Sequence, residues 1–263
     1  MKWYGYVGLT LMVLIQLNMV FKVEPFASWY IPIVWYGYIL FVDSLVFKLK
    51  GQSLISGGLS KFMIVLLISI PIWSVYELFN FVTNNWVYVN YSLIVHLIDF
   101  TIILPALLES MDLFMATGWF KKCKFKRFKA TSKQLSLFFL GGVFFCIIPW
   151  VLPYFFFWGM WLALFLLFDP VNYLLGNDSF IKDFTKGQLN KFLSSGFGGL
   201  LCGFFWEFWN NWAVPKWFYN IPLFDFWHVF EMPLLGYLGY IPFAWSMFSM
   251  YSFAKGLTKL KKK

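Results

Sequence analysis

Apolar runs of about 20 residues recur along the whole of this 263-residue sequence. A helix of that length crosses the hydrocarbon core of a bilayer. Only 13% of the residues are charged, about half the share found in soluble domains, and the mean hydropathy is +0.69. The sequence therefore predicts an all-α fold, a polytopic integral membrane protein.

About eight transmembrane helices are predicted, and the basic residues support that number. With eight spans, 19 of the 21 Lys and Arg residues fall on one side, in segments that include the loop 121–133 and the tail 255–263. Only Lys22 and Lys216 fall on the other side. Because basic residues are retained in the cytoplasm, we expect a protein of the cytoplasmic (inner) membrane with both termini cytoplasmic. The predicted helices are 3–21, 30–49, 61–83, 92–117, 134–150, 154–175, 191–212 and 228–254.

The net charge of +9 is explained by this topology. Basic loops on the cytoplasmic face bind anionic lipid headgroups, so the bilayer is the expected partner and no nucleic acid is needed. The first apolar run has no signal-peptidase-like site after it, and we interpret it as the first spanning helix. The three cysteines predict neither a disulfide framework nor a cysteine metal site.

The sequence contains an internal repeat. The segment VWYGYILFVDSLVFKLKGQSLI (34–55) aligns without a gap with MWLALFLLFDPVNYLLGNDSFI (160–181). The pattern predicts two parallel four-helix repeats, 1–131 and 132–263, related by a pseudo-twofold axis along the membrane normal. Its polar positions are Asp43 and Asp169, Glu77 and Glu207, Asn80 and Asn210, the W-x-Y segments Trp86/Tyr88 and Trp217/Tyr219, and the pairs His96/Asp99 and His228/Glu231.

The repeated polar residues are predicted to lie near the outer face. Glu77 and Glu207 each follow a cytoplasmic-edge lysine by 16 residues, about 24 Å along a helix. An ionisable group at that depth is costly if it faces lipid, so it is a functional candidate. The alternative is that these groups only lock helices together through hydrogen bonds. For Asp43 and Asp169 the structural role is favoured, as helix caps or partners of Lys48, Lys50 or Lys182.

The second half is the expected location of the site. Its last apolar run, FEMPLLGYLGYIPF (230–243), contains two prolines and two glycines, and a broken helix is tolerated where it lines a cavity. Glu109 and Asp112 have no counterparts there and are expected to pair with Lys121 or Lys122. The predicted catalytic residues are Glu207, Asn210, His228 and Glu231. The predicted substrate-binding residues are Trp206, Trp217, Tyr219, Glu77, Asn80, His96 and Asp99.

Two segments, WEFWNNWAVPKWFY (206–219) and FEMPLLGYLGYIPF (230–243), resemble the membrane carotenoid cyclases and hydratases. That family similarly follows an acidic helix end with an aromatic turn and a later proline-rich helix. The resemblance implies addition of water or cyclisation at an isoprenoid double bond; the sequence lacks the P-x-E-E motif of the cyclases. The duplicated D…ExxN…WxY…Hxx[DE] pattern is also similar to a group of bacterial polytopic membrane proteins of unassigned function.

Three functions agree with these patterns. The first is an intramembrane enzyme that acts by acid–base chemistry on an isoprenoid or other lipid-like substrate, since a buried carboxyl group donates a proton and aromatic faces stabilise a cation. The second is a proton- or cation-coupled transporter, and the third is a non-catalytic subunit bound to a membrane-protein partner. No cofactor is required. A divalent metal held by Glu77, Glu207, His96, Asp99, His228 and Glu231 is a variant of the first.

Overall fold

The computed structural model describes residues 1–223 and 225–260, with side chains described as far as residue 257. The last three lysines of the basic tail, 261–263, lie outside the described residues. The strands are β1 (Trp86–Val89), β2 (Lys216–Tyr219), β3 (His228–Val229) and β4 (Met232–Pro233), and a 3-10 helix spans Leu234–Gly239. The α-helices are α1 (Trp3–Phe21), α2 (Tyr30–Lys50), α3 (Leu59–Thr83), α4 (Leu93–Thr117), α5 (Ser132–Val151), α6 (Pro153–Phe156), α7 (Gly159–Leu174), α8 (Phe180–Thr185), α9 (Asn190–Trp212) and α10 (Tyr240–Leu260).

The length and apolar character of five helices, α1 to α5, are sufficient to cross a membrane. α7 is a shorter apolar helix of 16 residues. Only 22% of the most apolar stretch of α1 and 17% of that of α5 is buried inside the protein, against 67% for α2. Continuous apolar surface of this extent is stable against lipid and not against water. The described chain is thus a helical membrane protein in which α2 is central and α1 and α5 are peripheral.

The last predicted helix is wrong over its first part. Residues 228–239 form the β3–β4 hairpin and the 3-10 helix, and α10 begins only at Tyr240. Phe230 has a φ of 59°, which a right-handed helix does not allow, and Pro233 has no N–H to donate. The division of 134–175 follows the prolines, because α5 ends at Val151 and α6 begins at Pro153. The other long helices begin and end near their predicted limits.

Small residues on α9 bring it close to both of its main neighbours. A Cβ added to Gly199 would lie 2.3 Å from the carbonyl oxygen of Tyr240, and one added to Gly198 would lie 2.7 Å from the amide nitrogen of Met111. α9 therefore packs backbone to backbone against α10 on one face and α4 on another, the arrangement that small residues permit in membranes. This packing fixes where the following aromatic residues of α9 point.

One end of the bundle collects the basic segments. The amide of Lys2 donates to Ser44 Oγ at 2.8 Å, and Lys50 Nζ lies 3.0 Å from Asp112 Oδ1. The loop 121–133 reaches the start of α9 through a bridge between Lys124 and Gln188. These contacts join the beginning of α1, the end of α2, the end of α4 and the α8–α9 region. The basic loops therefore lie at a common end.

The opposite end carries an antiparallel strand pair between the two halves of the chain. Trp86 pairs with Tyr219, Tyr88 pairs with Trp217, and Val87 pairs with Phe218 at the centre. The two W-x-Y segments thus meet head to tail, each following its own long helix. The ladder joins the connection after α3 to the connection after α9 and forms one wall of the space described next.

Candidate functional site

Each W-x-Y strand is anchored by the asparagine of the preceding helix. Asn80 Nδ2 donates to the carbonyl of Trp86 at 2.9 Å, and Asn80 Oδ1 accepts from the same residue's amide at 3.1 Å. Asn210 makes the same two bonds with Trp217, at 2.8 and 2.9 Å. The side-chain amide supplies one donor and one acceptor and so replaces a strand neighbour. The repeated asparagine fixes the turn from helix to strand.

The repeated glutamates hold the strand tyrosines. Tyr88 donates its hydroxyl hydrogen to Glu77 Oε1, and Tyr219 donates to Glu207 Oε1, both at 2.6 Å. Burial, and then the neighbouring glutamate carboxylate, raise the pKa of Tyr88 and of Tyr219 well above the ordinary value of tyrosine. Both phenols therefore stay protonated donors at physiological pH, and each glutamate orients an aromatic ring.

The second donor to the glutamate differs between the halves. In the first half Trp73 Nε1 donates to Glu77 Oε1 at 2.8 Å. In the second half the predicted alignment places Gly203 at the position of Trp73, and the hydroxyl of Tyr240 donates to Glu207 Oε1 instead. A Cβ on Gly203 would lie 2.3 Å from the Tyr240 ring, so the glycine makes room for that ring. Glu207 is fully buried, and its Oε2 has no hydrogen-bond partner among the described residues.

These tyrosines and tryptophans line a cavity of about 530 Å³ beside the strand pair. Eight of the 15 tryptophans contribute to its wall, including Trp161, Trp206 and Trp217. The wall is continued by Trp73 of α3 and Phe243 of α10, whose rings contact each other with their centroids 5.9 Å apart. A space of this size and apolar character is typical of a small-molecule site.

One acidic side chain reaches this cavity. Of the described residues that line it, Asp99 is the only carboxylate and His96 the only imidazole, and both lie in the first two turns of α4. Both Asp99 carboxylate oxygens are buried and have no hydrogen-bond partner in the described part of the chain. The His96 ring contacts the rings of Tyr88 and Phe100, with centroid distances of 4.3 and 4.7 Å. Asp99 therefore brings a carboxyl group to the cavity without a hydrogen bond of ordinary geometry, and the hydroxyl of Tyr91, which also lines the cavity, lies near it.

The mouth of the cavity is apolar. Among the lining residues only Trp158, Leu235 and Leu238 are more than a third exposed, at 42%, 44% and 58%. They belong to the start of α7 and to the 3-10 helix, so the opening lies between these two segments. A rim without polar side chains favours access for an apolar molecule.

His228 and Glu231 lie away from this cavity. His228 is exposed on the β3–β4 hairpin, with Nε2 2.7 Å from Asp225 Oδ1. Glu231 Oε1 accepts from Lys216 Nζ at 2.7 Å. The prediction that they lie in the first turns of the last helix is wrong, because that helix begins only at Tyr240.

The helix packing gives a different correspondence for the start of the last helix. Ser69 Oγ bonds the carbonyl of Phe100 at 2.5 Å and the amide of Leu104 at 3.0 Å. Gly199, which the repeat aligns with Ser69, contacts Tyr240 and Ala244. Since 240 − 100 and 244 − 104 both equal 140, the positions of His96 and Asp99 are matched by glycines at 236 and 239, which also line the cavity.

The predicted site residues thus fall into three groups. The first group lines the cavity: Trp206, Trp217, Tyr219, His96 and Asp99. The second group supports its wall from behind: Glu77, Asn80, Glu207 and Asn210. The third group, His228 and Glu231, lies on the hairpin. Tyr240 is not among the residues predicted from the sequence, where its only signal is the glycine at position 203 opposite it.

The metal variant required six side chains to converge. Glu77 and Glu207 instead accept hydrogen bonds from aromatic residues. His228 and Glu231 lie on the hairpin, away from the cavity. Among the described residues, no group of three or more His, Cys, Asp or Glu side chains is arranged to hold a metal ion. The donor set does not fit a dinuclear centre. Comparisons with protein-family models, curated proteins and solved structures found no match.

Proposed function

We propose that the chain forms eight transmembrane helices in two parallel four-helix repeats, with both termini cytoplasmic. The matched Glu–Tyr and Asn–backbone bonds of the two halves support the duplication. The head-to-tail β1–β2 ladder is the contact expected between segments related by a twofold axis. The collection of basic loops at one end of the bundle supports the orientation, because such loops stay in the cytoplasm. The cavity then lies near the outer face of the membrane.

The proposed function is that of an intramembrane enzyme acting by acid–base chemistry on an isoprenoid or other lipid-like substrate. One observation carries it: Asp99 brings a carboxyl group with two buried, unpartnered oxygens into a cavity walled by tryptophans. A buried polar group without a partner is costly and is rare in proteins unless it serves a ligand or a reaction. We therefore assign Asp99, and not Glu207, as the acid.

The chemistry follows from these residues. Carboxyl groups in apolar surroundings favour the neutral, protonated form, which donates a proton. Protonation of a substrate double bond forms a C–H bond and leaves a carbocation, which the faces of Trp73, Trp161 and Trp206 stabilise. Loss of a proton from a neighbouring carbon, or addition of water, then returns a neutral product. His96 lies on the same face of α4 as Asp99 and is within reach to accept the returning proton.

Access from the bilayer fits this substrate class. The exposed rim residues Trp158, Leu235 and Leu238 are apolar. None of the exposed residues among the described lining is charged. A water-soluble substrate would have to cross that rim without a polar partner, which costs free energy. A lipid-like molecule crosses it at no such cost.

Asp99→Asn tests the proposal directly. Wild type and variant are expressed in the same host, solubilised gently and compared by native mass spectrometry, while membrane extracts are searched for products. Asp112→Asn, on the same helix but outside the cavity, is the matched control. We expect an apolar ligand in both proteins, accumulation of that ligand in Asp99→Asn, and a product only with wild type and control. A ligand without any product in wild type would indicate a carrier, and a protein free of ligand would contradict the site.

A further inference from the structure

Asp43, in the second half of α2, is fully buried and accepts three hydrogen bonds. Its Oδ1 accepts from the hydroxyl of Tyr4 at 2.5 Å and from Ser53 Oγ at 2.8 Å, and its Oδ2 accepts from the amide of Ile55 at 2.8 Å. These bonds hold the segment that follows α2 against the helix. Neither a helix cap nor an ion pair with Lys48 or Lys50 is seen for Asp43 among the described residues, since its donors are two hydroxyls and one amide of the connecting turn.

Asp169 is its counterpart in the second half. It accepts from the amides of Phe180 and Ile181 at 2.8 and 2.9 Å. A further donor comes from the last helix, where Ser249 Oγ lies 3.4 Å from Asp169 Oδ1. The repeated aspartate therefore receives backbone or hydroxyl donors from the following segment, and in the second half a hydroxyl from the last helix as well.

Glu109 occupies the place of that hydroxyl in the first half. The shift of 140 that relates α4 to α10 matches Ser249 with Glu109, since 249 − 109 = 140. Glu109 lies beside Asp43 and the backbone amide of Leu54, is 1% exposed, and neither of its oxygens makes a hydrogen bond of ordinary geometry among the described residues. The expected pairing with Lys121 or Lys122 is not seen, and neighbouring Asp112 is paired with Lys50.

We propose that Asp43 and Glu109 form a proton-binding site in which the two carboxyl groups share one proton. Two adjacent carboxylates in an apolar interior cannot both be ionised without a large free-energy cost. A protonated Glu109 donates to Asp43 as Ser249 donates to Asp169. Unlike a serine hydroxyl, however, a carboxylic acid is a titratable group that can release its proton. This site lies at the end of the bundle opposite the cavity and does not depend on the proposed function.

The other groups around the pair do not replace the proton. Tyr4 on α1 donates to Asp43, and Tyr38 on α2 is engaged with Ser110 Oγ at 2.7 Å, which also lies 3.0 Å from Cys202 Sγ. Of the cations at this end, Lys50 is held by Asp112 at 3.0 Å, and Lys2 Nζ lies 4.1 Å from the centroid of the Phe47 ring. Asp112 is the one further acid beside the pair, and no Lys or Arg forms an ion pair with Asp43 or Glu109 among the described residues.

Infrared spectroscopy detects the shared proton, because the carbonyl stretch of a protonated carboxylic acid is separate from the carboxylate bands. We expect the wild-type spectrum to contain the carbonyl band of one protonated carboxyl group per chain that is absent from the spectra of Glu109→Gln and Glu109→Ser. The serine variant copies Ser249 of the second half. Asp112→Asn is the control and retains the band. Equal spectra for wild type and both Glu109 variants would overturn the proposal, and the serine variant alone decides if the glutamine variant does not fold.

Thermal unfolding in detergent gives a second readout. Unfolding separates the two carboxyl groups and releases the proton at neutral pH, so the folded state binds more protons and its stability falls as the pH rises. The wild-type Tm is expected to fall towards alkaline pH, and the Tm of Glu109→Gln to fall less over the same range, since Asp99 contributes equally to both proteins. A wild-type Tm that rises with Na⁺ over K⁺ at fixed pH, but not in Glu109→Gln, would identify a sodium site and refute the shared proton.

Discussion

Replacement of Gly203 by alanine tests the arrangement around Glu207. The added Cβ would lie 2.3, 2.5 and 2.7 Å from three carbons of the Tyr240 ring, far inside contact distance. The ring belongs to the first residue of α10 and cannot turn aside without moving its hydroxyl from Glu207. Overpacking of this kind costs about 1–3 kcal/mol, and weakening the hydrogen bond to the buried carboxylate adds about 1 kcal/mol. We expect a total loss of about 2–4 kcal/mol.

Gly141→Ala is the matched control. Gly141 also lies inside a long apolar helix, but its added Cβ would meet nothing closer than Leu166 Cδ1 at 3.7 Å. There the better helix propensity of alanine predicts a gain of about 0.5–1 kcal/mol. Thermal unfolding in detergent measures both variants, and the loss at Gly203 corresponds to a fall in Tm of roughly 5–15 °C for a chain of this size.

A double-mutant cycle assigns the loss to the named contact. In a Tyr240→Ala background the ring is absent, so adding the Gly203→Ala methyl should cost less than about 1 kcal/mol. If Gly203→Ala and Gly141→Ala shift the Tm equally, or if the cost of Gly203→Ala is the same with and without the tyrosine ring, the account of how Tyr240 reaches Glu207 is refuted.

Three further outcomes are expected. Asn210→Ala leaves the amide and carbonyl of buried Trp217 without partners and should lower stability by about 2–4 kcal/mol, measured by thermal unfolding. Glu231→Gln breaks only a partly exposed ion pair on the hairpin and should change stability by less than about 1 kcal/mol in the same assay. Leu238→Glu places a charge at the cavity mouth and should reduce the co-purified apolar ligand seen by mass spectrometry. Leu234→Glu, in the same 3-10 helix but outside the cavity wall, should leave it unchanged.

Much of the helix arrangement could be predicted from the sequence because spanning helices obey length and apolarity alone. The predicted alignment also placed Glu77 with Glu207 and Asn80 with Asn210, and the members of each pair make matching bonds to a W-x-Y strand, although the separation along the chain is one residue longer in the second half. Hydrophobic pattern does not reveal which way a polar side chain points. It therefore could not show that the glutamates support the wall while Asp99 enters the cavity.

The prediction failed where the second half contains a longer connection. The pattern His-x-x-acid recurs in order, yet the second copy lies on a hairpin inserted before α10. Once a connection changes length, residue order no longer shows which positions of two helices correspond. The contacts of Gly199 with Tyr240 and Ala244 show which positions of α10 correspond to those of α4. The exchange of Trp73 for Tyr240 was equally hidden, because the two donors come from different helices and have no common sequence position.

The strand pair has a consequence for how the chain is made. Trp86 leaves the ribosome 133 residues before Tyr219, its partner in the ladder. During synthesis the first half is therefore in the membrane before the partner strand of β1 has been made. At that stage only Asn80 can bond the amide and carbonyl of Trp86. Chains generally fold from the N-terminus as they emerge, but here the ladder between the two halves forms last. Separately expressed halves should accordingly mature only when both are present in the same bilayer.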